Sequence, residues 1–349
     1  MYSGNTPSRK NKEFFNGTIN WISSGELKEH YIYSTKERIS QGATNNLKLL
    51  SVGTFVIAIY GLEAEGVRGT GSITQEPSTI SQACMAFTPK GEITNEFLYS
   101  WYKKHGDVIG VKYAQGTKQQ NLSYDILEKF KISYPNAKEQ DKLNLFFSIL
   151  DKRISTQNKI IEKLESLIKG IRNDVFGKLR KSVGFNAMID DVLSYEQPQS
   201  YLVEDTEYTN EGTPVLTANK AFVLGYTSEI EGIYDKGDCI IFDDFTLDCK
   251  YVDFSFKVKS SAIKILTAKN KELLRYTFEF LKYLDLSTEE HKRHYITETQ
   301  NQEFILPTVQ IIRTIAHAFY ALSLWKETIV KQRYAFEKQK QYLLRQMFI

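Results

Sequence analysis

FFSILDKRISTQNKIIEKL, Phe146–Leu164, lies inside a longer run from Pro135 to Phe176, and its spacing decides the fold. Alternate steps of four and three from Leu143 land on Leu143, Phe147, Leu150, Ile154, Gln157, Ile161, Leu164, Ile168, Ile171 and Val175. Nine of these ten are apolar, the pattern of a coiled-coil seam. No proline or glycine intervenes between Pro135 and Gly170. The run therefore predicts one helix of about 38 residues, about 57 Å long at about 1.5 Å per residue. An amphipathic helix of that length is not stable alone in water, so its stripe must be covered.

A second run, Pro307 to Phe348, offers the cover. Counting 172 residues on from each seam position gives Ile315, Phe319, Leu322, Lys326, Ile329, Arg333, Phe336, Lys340, Leu343 and Met347, of which seven are apolar. Pro135 falls on Pro307 and Phe176 on Phe348 without a gap, an internal repeat. The Lys and Arg of the second copy snorkel at the seam's edges. Two such helices related by a pseudo-two-fold lie antiparallel, with their globular segments at opposite ends. The plainer alternative makes both helices ordinary core of one larger domain.

The segments before the helices repeat too. SVGTFVIAIYG (Ser51–Gly61) and ISQACMAFTP (Ile80–Pro89) read as strands, and ITNEFLYSWYKKH (Ile93–His105) as a helix capped at Thr94. VKYAQGTKQQNLSY (Val111–Tyr124) reads as a polar loop around Gly116, and KISYP leads into the long helix. The second half keeps this order with DKGDCIIFDDF (Asp235–Phe245), SSAIKILTAKNKELLRYTFEFLKYL (Ser260–Leu284) and QEFILP (Gln302–Pro307). EGTPVLTANKAF (Glu211–Phe222) parallels NGTINWISSGEL (Asn16–Leu27). The expected class is α+β: two mixed α/β domains, 1–134 and 179–306, separated by helices at 135–178 and 307–349. Unlike side chains on a shared order of elements make one scaffold with two different surfaces.

Composition sets bounds. With 349 residues, 42% hydrophobic and 25% charged, the chain folds into two or three domains. Three scattered cysteines make no disulfide framework and no zinc pair. The N-terminus lacks a signal-peptide core and no segment reaches about 18 apolar residues, so a cytoplasmic protein with no membrane role is expected. A net charge of +3 is far from the excess of a nonspecific nucleic-acid binder; a DNA role needs its cations gathered on one face.

GNTPSR (Gly4–Arg9), WISSGEL (Trp21–Leu27), the loop Gly116–Leu122, Pro135 and Gln140 opening the helix, its seam, and GIRNDVF (Gly170–Phe176) closing it together resemble a specificity subunit of a type I restriction–modification system. Family members usually carry a short segment before the GNTPSR-like stretch, on which this chain almost begins. The resemblance implies a non-catalytic DNA-binding subunit of a host-defence, DNA-methylation complex. Two target-recognition domains each read half of a bipartite, asymmetric site in double-stranded DNA. The helices set the spacer and dock two adenine-methyltransferase subunits, and restriction–translocation subunits complete the enzyme. S-adenosylmethionine, ATP and magnesium belong to those partners, with no cofactor on this chain.

Base readout needs Arg, Lys, Asn or Gln, and phosphate contact needs cations. The candidates in the first half are Arg9, Tyr60, Arg68, Lys112, Gln115, Lys118, Gln119 and Gln120. In the second half they are Asn219, Lys220, Lys250, Lys257, Lys259, Lys292 and Arg293. Trp21, Tyr60 and Trp101 offer stacking faces, although Trp101 on a helix face suits core packing better.

Other chemistry is thinly represented. GVRGTG (Gly66–Gly71) lacks the GxGxxG order of a nucleotide cradle and reads as a flexible loop or turn. There is no GxxxxGK[ST] loop and no HExxH, and His291 and His294 suit a solvated face better than a metal. Asp248-x-Lys250 is half of a metal-dependent nuclease motif and supplies the alternative function; a scaffold with no nucleic-acid role is the third. Asp243 and Asp244 either accept from cytosine N4 or cap a loop.

Overall fold

The computed structural model describes residues 1–64, 66–217, 222–288 and 293–348. The chain divides into two compact units: Met1–Lys159 with the stretch from Lys331 onward, and Ile160–Val330.

In the first unit, β1 (Tyr2–Ser3), β8 (Cys84–Phe87), β5 (Phe55–Ala58), β6 (Gly71–Thr74) and β3 (Tyr31–Ile32) form one sheet in that order. A second sheet runs β4 (Arg38–Ile39), β2 (Ile19–Ile22), β7 (Ser78–Ile80). The sequence FVIA of β5 is apolar throughout because both its faces are covered. Phe55 and Ile57 pack with Phe97, Trp101 and Tyr102 of helix α1 (Asn95–Tyr113), while Val56 and Ala58 pack with Ile22 and Ile80 of the small sheet. Thr94 caps α1 through Phe97 N (3.2 Å). The helix outlasts its expected end by eight residues: Val111–Tyr113, read as loop from the sequence, form its last turn. A helical turn α2 (Tyr124–Leu127) precedes the long helix α3 (Ala137–Ser182).

The second unit repeats the strand order. After β9 (Ala187–Met188) and a helical turn α4 (Ile189–Val192), β10 (Leu193–Glu196), β16 (Ile263–Ala268), β13 (Cys239–Asp243) and β14 (Cys249–Val252) form a sheet in that order. A small sheet runs β12 (Val223–Thr227), β11 (Thr213–Leu216), β15 (Lys257–Val258). The middle strand of each small sheet, β2 or β11, has one parallel and one antiparallel neighbour. Ile240 and Phe242 of β13 face helix α5 (Leu274–Leu284), and Cys239 and Ile241 face the small sheet. A pair β17 (Glu303–Phe304) with β9 has no strand counterpart among the described residues at KISYP. Helix α6 (Val309–Met347) ends the chain.

Both long helices pass from one unit into the other. Within the first unit Phe147 meets Phe348 (5.5 Å between ring centres), Lys340 pairs with Asp151, and Arg153 lies over Phe336. Within the second, Lys326 pairs with Glu165 (2.6 Å) and Arg172 lies over Phe319. Numbers fall on one helix as they rise on the other, so the paired segments are antiparallel in each unit. The seam residues Phe147, Leu150, Leu164, Ile315, Phe319 and Ile329 are buried. Leu143, Ile154, Ile161, Ile168, Ile171, Leu322, Phe336 and Leu343 are half-buried, and Met347 is exposed. The stripe is covered by more than the partner helix: Phe147 and Leu150 join the core around Phe55, and Phe176, Leu179, Ile312 and Phe319 join that around Phe242. The first long helix also runs to Ser182, beyond the expected boundary at 178.

Candidate nucleic-acid interface

In the first unit the polar loop is a short, fastened projection. Backbone hydrogen bonds in both directions between Gln115 and Asn121 (2.9 Å each) close its base. Leu122 N donates to Ile59 O, Leu62 N to Gln120 O, and Gln120 N to the Glu63 carboxylate (2.9 Å), tying it to the strand end at Tyr60. Gly116 turns the chain at φ +124°, where a Cβ would stand 2.0 Å from Gln119 O. That leaves Lys118 and Gln119 on an exposed tip, with Gln115 exposed beside them. Tyr60, Gln115, Asn121, Ser123 and Tyr124 line a groove of about 340 Å³ beneath the loop. The Asn121 Oδ1 is buried without a hydrogen-bond partner. Lys112 stands exposed on the last turn of α1.

Two arginines assigned to readout are engaged elsewhere. Arg68 donates to Asp107 (3.0 Å) and Leu62 O (3.3 Å), and its stem packs where Gly110 has no side chain. The GVRGTG stretch is thus a turn bound to α1, with Gly69 (φ +65°) seated against Gly106, rather than a flexible loop. Arg9 makes a two-pronged contact with Glu37 (2.8 Å each) and covers the rings of Phe15 and Trp21. The Arg9 hydrogen bond holds the Glu37 carboxyl below its ordinary range. Trp21 and Trp101 are buried, so neither offers a stacking face.

In the second unit the turn between β13 and β14 is built by acids. Asp243 Oδ1 accepts from Phe245 N and Thr246 N (2.9 Å each), and Asp244 Oδ1 accepts from His294 N (3.0 Å) and Tyr295 N (2.7 Å). Asp244 also faces the buried Lys264 at 3.4 Å. Both aspartates therefore cap and brace the loop, the plainer of their two readings. Lys257 needs correction as a DNA contact. Its side chain is 5% exposed and its ammonium is held by Glu229 (2.6 Å) and Glu231 O (2.7 Å). Lys259 and Arg293 are exposed, and Lys250 is half-buried beside Asp248. Asn219, Lys220 and Lys292 lie outside the described residues, as does His291.

Residues 2–166 match the family described as the type I restriction modification DNA specificity domain. The first half of the chain is thus similar to the specificity subunits of type I restriction–modification systems. It is 44% identical over 126 residues to the specificity subunit of the type I restriction enzyme EcoR124I/EcoR124II of Escherichia coli, covering 34% of this chain and 31% of that protein. It is 27% identical over 207 residues to the MjaIX specificity subunit of Methanocaldococcus jannaschii, covering 58% of this chain and 47% of that one. Each match thus spans less than half of the relative's length. Among solved structures, the type I restriction–modification S subunit from M. genitalium superposes with a TM-score of 0.64 at 15% identity, over 100% of this chain and 93% of that one. A chain from a study of complex assembly and conformational transition of the type I system gives 0.52 at 12% identity, over 94% and 90%. At those identities the likeness is one of fold.

The nuclease alternative finds no support in these likenesses. Asp248 is pinned by Lys282 (2.8 Å) and Lys250 (3.3 Å). Burial would raise its carboxyl, but the two ammonium groups outweigh that and hold it below its ordinary range. Among the described residues no three acidic, Cys or His side chains gather as a metal would need.

The sequence reading missed the polar joints behind these loops. Asp151 of α3 receives His30 Nδ1 (3.1 Å) and Lys340, and His30 Nε2 reaches Glu96 of α1 (2.9 Å). In the second unit the buried Glu279 of α5 accepts from Arg172 of α3 (2.7 and 3.0 Å). The available signal was a charge at or beside a seam position, Asp151 and Arg172 each standing next to one.

Proposed function

We propose that this chain is the DNA-reading specificity subunit of a type I restriction–modification complex, without catalytic residues of its own. The match of residues 2–166 to the DNA specificity domain carries the reading. The two units are taken as target-recognition bodies for the two halves of a bipartite, asymmetric site, and the repeated strand order with unlike loops supports this. In the first body Lys118, Gln119 and Gln115 on the fastened loop approach base edges, and Lys112 approaches phosphate. In the second, Lys259, Arg293 and Lys250 are the counterparts. Arg9 and Arg68 position the reading surface rather than touch bases.

The helices are read as an antiparallel coiled coil with pseudo-two-fold symmetry that sets the spacer. In support, α3 and α6 each run unbroken from one unit into the other. Two adenine-methyltransferase subunits are assigned to the helices' exposed apolar residues, Leu145, Phe146 and Ile149 in one unit and Tyr320, Leu324 and Trp325 in the other. Restriction–translocation subunits would join them, with S-adenosylmethionine and ATP bound there. Among the described residues no helix is long and apolar enough to cross a membrane.

Selection of random DNA fragments by the full chain, alone and with its methyltransferase partner, tests the reading. A bipartite motif of fixed spacing is expected. No enrichment in either arm would leave a scaffold role instead.

A further inference from the structure

The first unit holds a charged joint that the second builds differently. His30 is largely buried between the rings of Tyr31 and Tyr99, each 4.0 Å away and nearly parallel to it. Both ring nitrogens face carboxylates, Glu96 on α1 and Asp151 on α3. Two acceptors for two ring nitrogens suit the doubly protonated imidazolium, which alone donates from both. Lys340 of α6 closes the far side of Asp151. His30 thereby ties the recognition body to both long helices.

The equivalent place in the second unit lacks a histidine. Ser323 stands 172 residues on from Asp151, and Arg275 is the second residue of α5 as Glu96 is of α1. There Arg275 donates directly to Ser323 and stands 3.6 Å from the buried Glu279, which Arg172 also holds. A guanidinium keeps its charge across the working pH range, whereas an imidazolium does not.

We propose that His30 is a titratable positioning residue that locks the first recognition body onto its helices, while the second body is locked at all working pH values by arginine. This rests on both bodies being DNA readers.

Glu96 of α1 and Asp151 of α3 act on His30 directly, Tyr31 and Tyr99 stack on it, and Glu29, Lys103 of α1 and Lys340 of α6 lie about the same Tyr99 and Asp151. Burial pulls the imidazole pKa down, but the bonds to Asp151 and Glu96 outweigh it and leave it above the ordinary 6.5. A raised folded value means the lock is complete below about 6.5 and is lost as pH climbs through the folded value. Burial and the nearby Lys340 lower the Lys103 pKa, and the H30R control, which keeps Lys103, separates its titration from that of His30.

The test selects DNA with the full chain at about pH 6 and about pH 9, for wild type, His30→Gln and His30→Arg. Discrimination in one half-site should fall with pH by about tenfold for each pKa unit of elevation, with the other half-site unchanged. H30Q should behave at every pH as wild type does at high pH, and H30R should show no pH dependence. Half-sites that fade together, or an H30Q profile matching wild type, would overturn the proposal. Thermal midpoints of wild type and H30Q across the same range need no DNA. Their gap should close as pH rises, and a constant gap refutes the lock. Absence of any motif at either pH, with that gap still closing, would instead remove the DNA reading and leave the lock standing.

Discussion

Gln140 is fully buried, and four hydrogen bonds converge on its amide. Its oxygen accepts from Thr94 N and Oγ1 (2.9 and 3.2 Å), and its nitrogen donates to Glu92 O and Pro135 O (3.1 and 2.9 Å). One side chain thus ties the first turn of α3 to the cap of α1. Gln140→Leu leaves those backbone groups unpaired and should lower stability by about 1–3 kcal/mol, read as a shift in denaturant midpoint. Gly116→Ala meets Gln119 O directly. It should distort the loop and weaken DNA binding, with a stability loss of about 1–3 kcal/mol at most. Lys112 is exposed on the last turn of α1, and Lys112→Ala should leave the fold unchanged and reduce the salt slope of binding by about one. At this scale the sequence was only partly readable. The Thr94 cap and the Gly116 turn have local signatures. Whether Arg68 or Lys257 is free depends on partners 39 and 28 residues away in sequence, Asp107 and Glu229, which no local pattern reveals.

Among the elements, the long helices were the most legible, because a strict seven-residue period leaves few alternatives. α1 was legible at its start and misread at its end. Gly106 and Gly110 weaken helix propensity there, yet they are what lets the loop at Gly69 and the Arg68 stem lie against the helix. Local preference yielded to close packing. The buried ion pairs were invisible for the opposite reason: α5 and α3 each look amphipathic alone, and only their approach joins Glu279 to Arg172. Glu279 is 2% exposed, so Glu279→Leu would strand that guanidinium. The expected cost is about 3–5 kcal/mol. Thermal unfolding should show it in the transition of the second unit, while a probe in the first keeps its midpoint.

For the whole molecule, the internal repeat led to the expectation of domains at 1–134 and 179–306, whereas the compact units divide the chain inside both long helices, at Lys159 and Lys331. On the proposed reading, the bases read and the spacer length would follow from exposed side chains and helix length rather than from the core, so neither was legible. Four residues inserted after Lys159, with four before Lys331, lengthen each helix by about one turn, or about 6 Å. The recognised site should then gain about two base pairs of spacer with both half-motifs intact. Motif sequencing checks this, and an altered half-motif would count against the helices as a ruler.

The division of the chain has a consequence for how such genes change. The second unit is one uninterrupted stretch, Ile160–Val330, whereas the first is assembled from both termini. A recombination event with breakpoints near those two positions would import a foreign cassette complete with its own matched helix segments. The resident contacts, Asp151 with Lys340 among them, would survive unbroken. On the proposed reading, inheritance of a new sequence preference would then require two crossovers and no compensating mutation along either long helix.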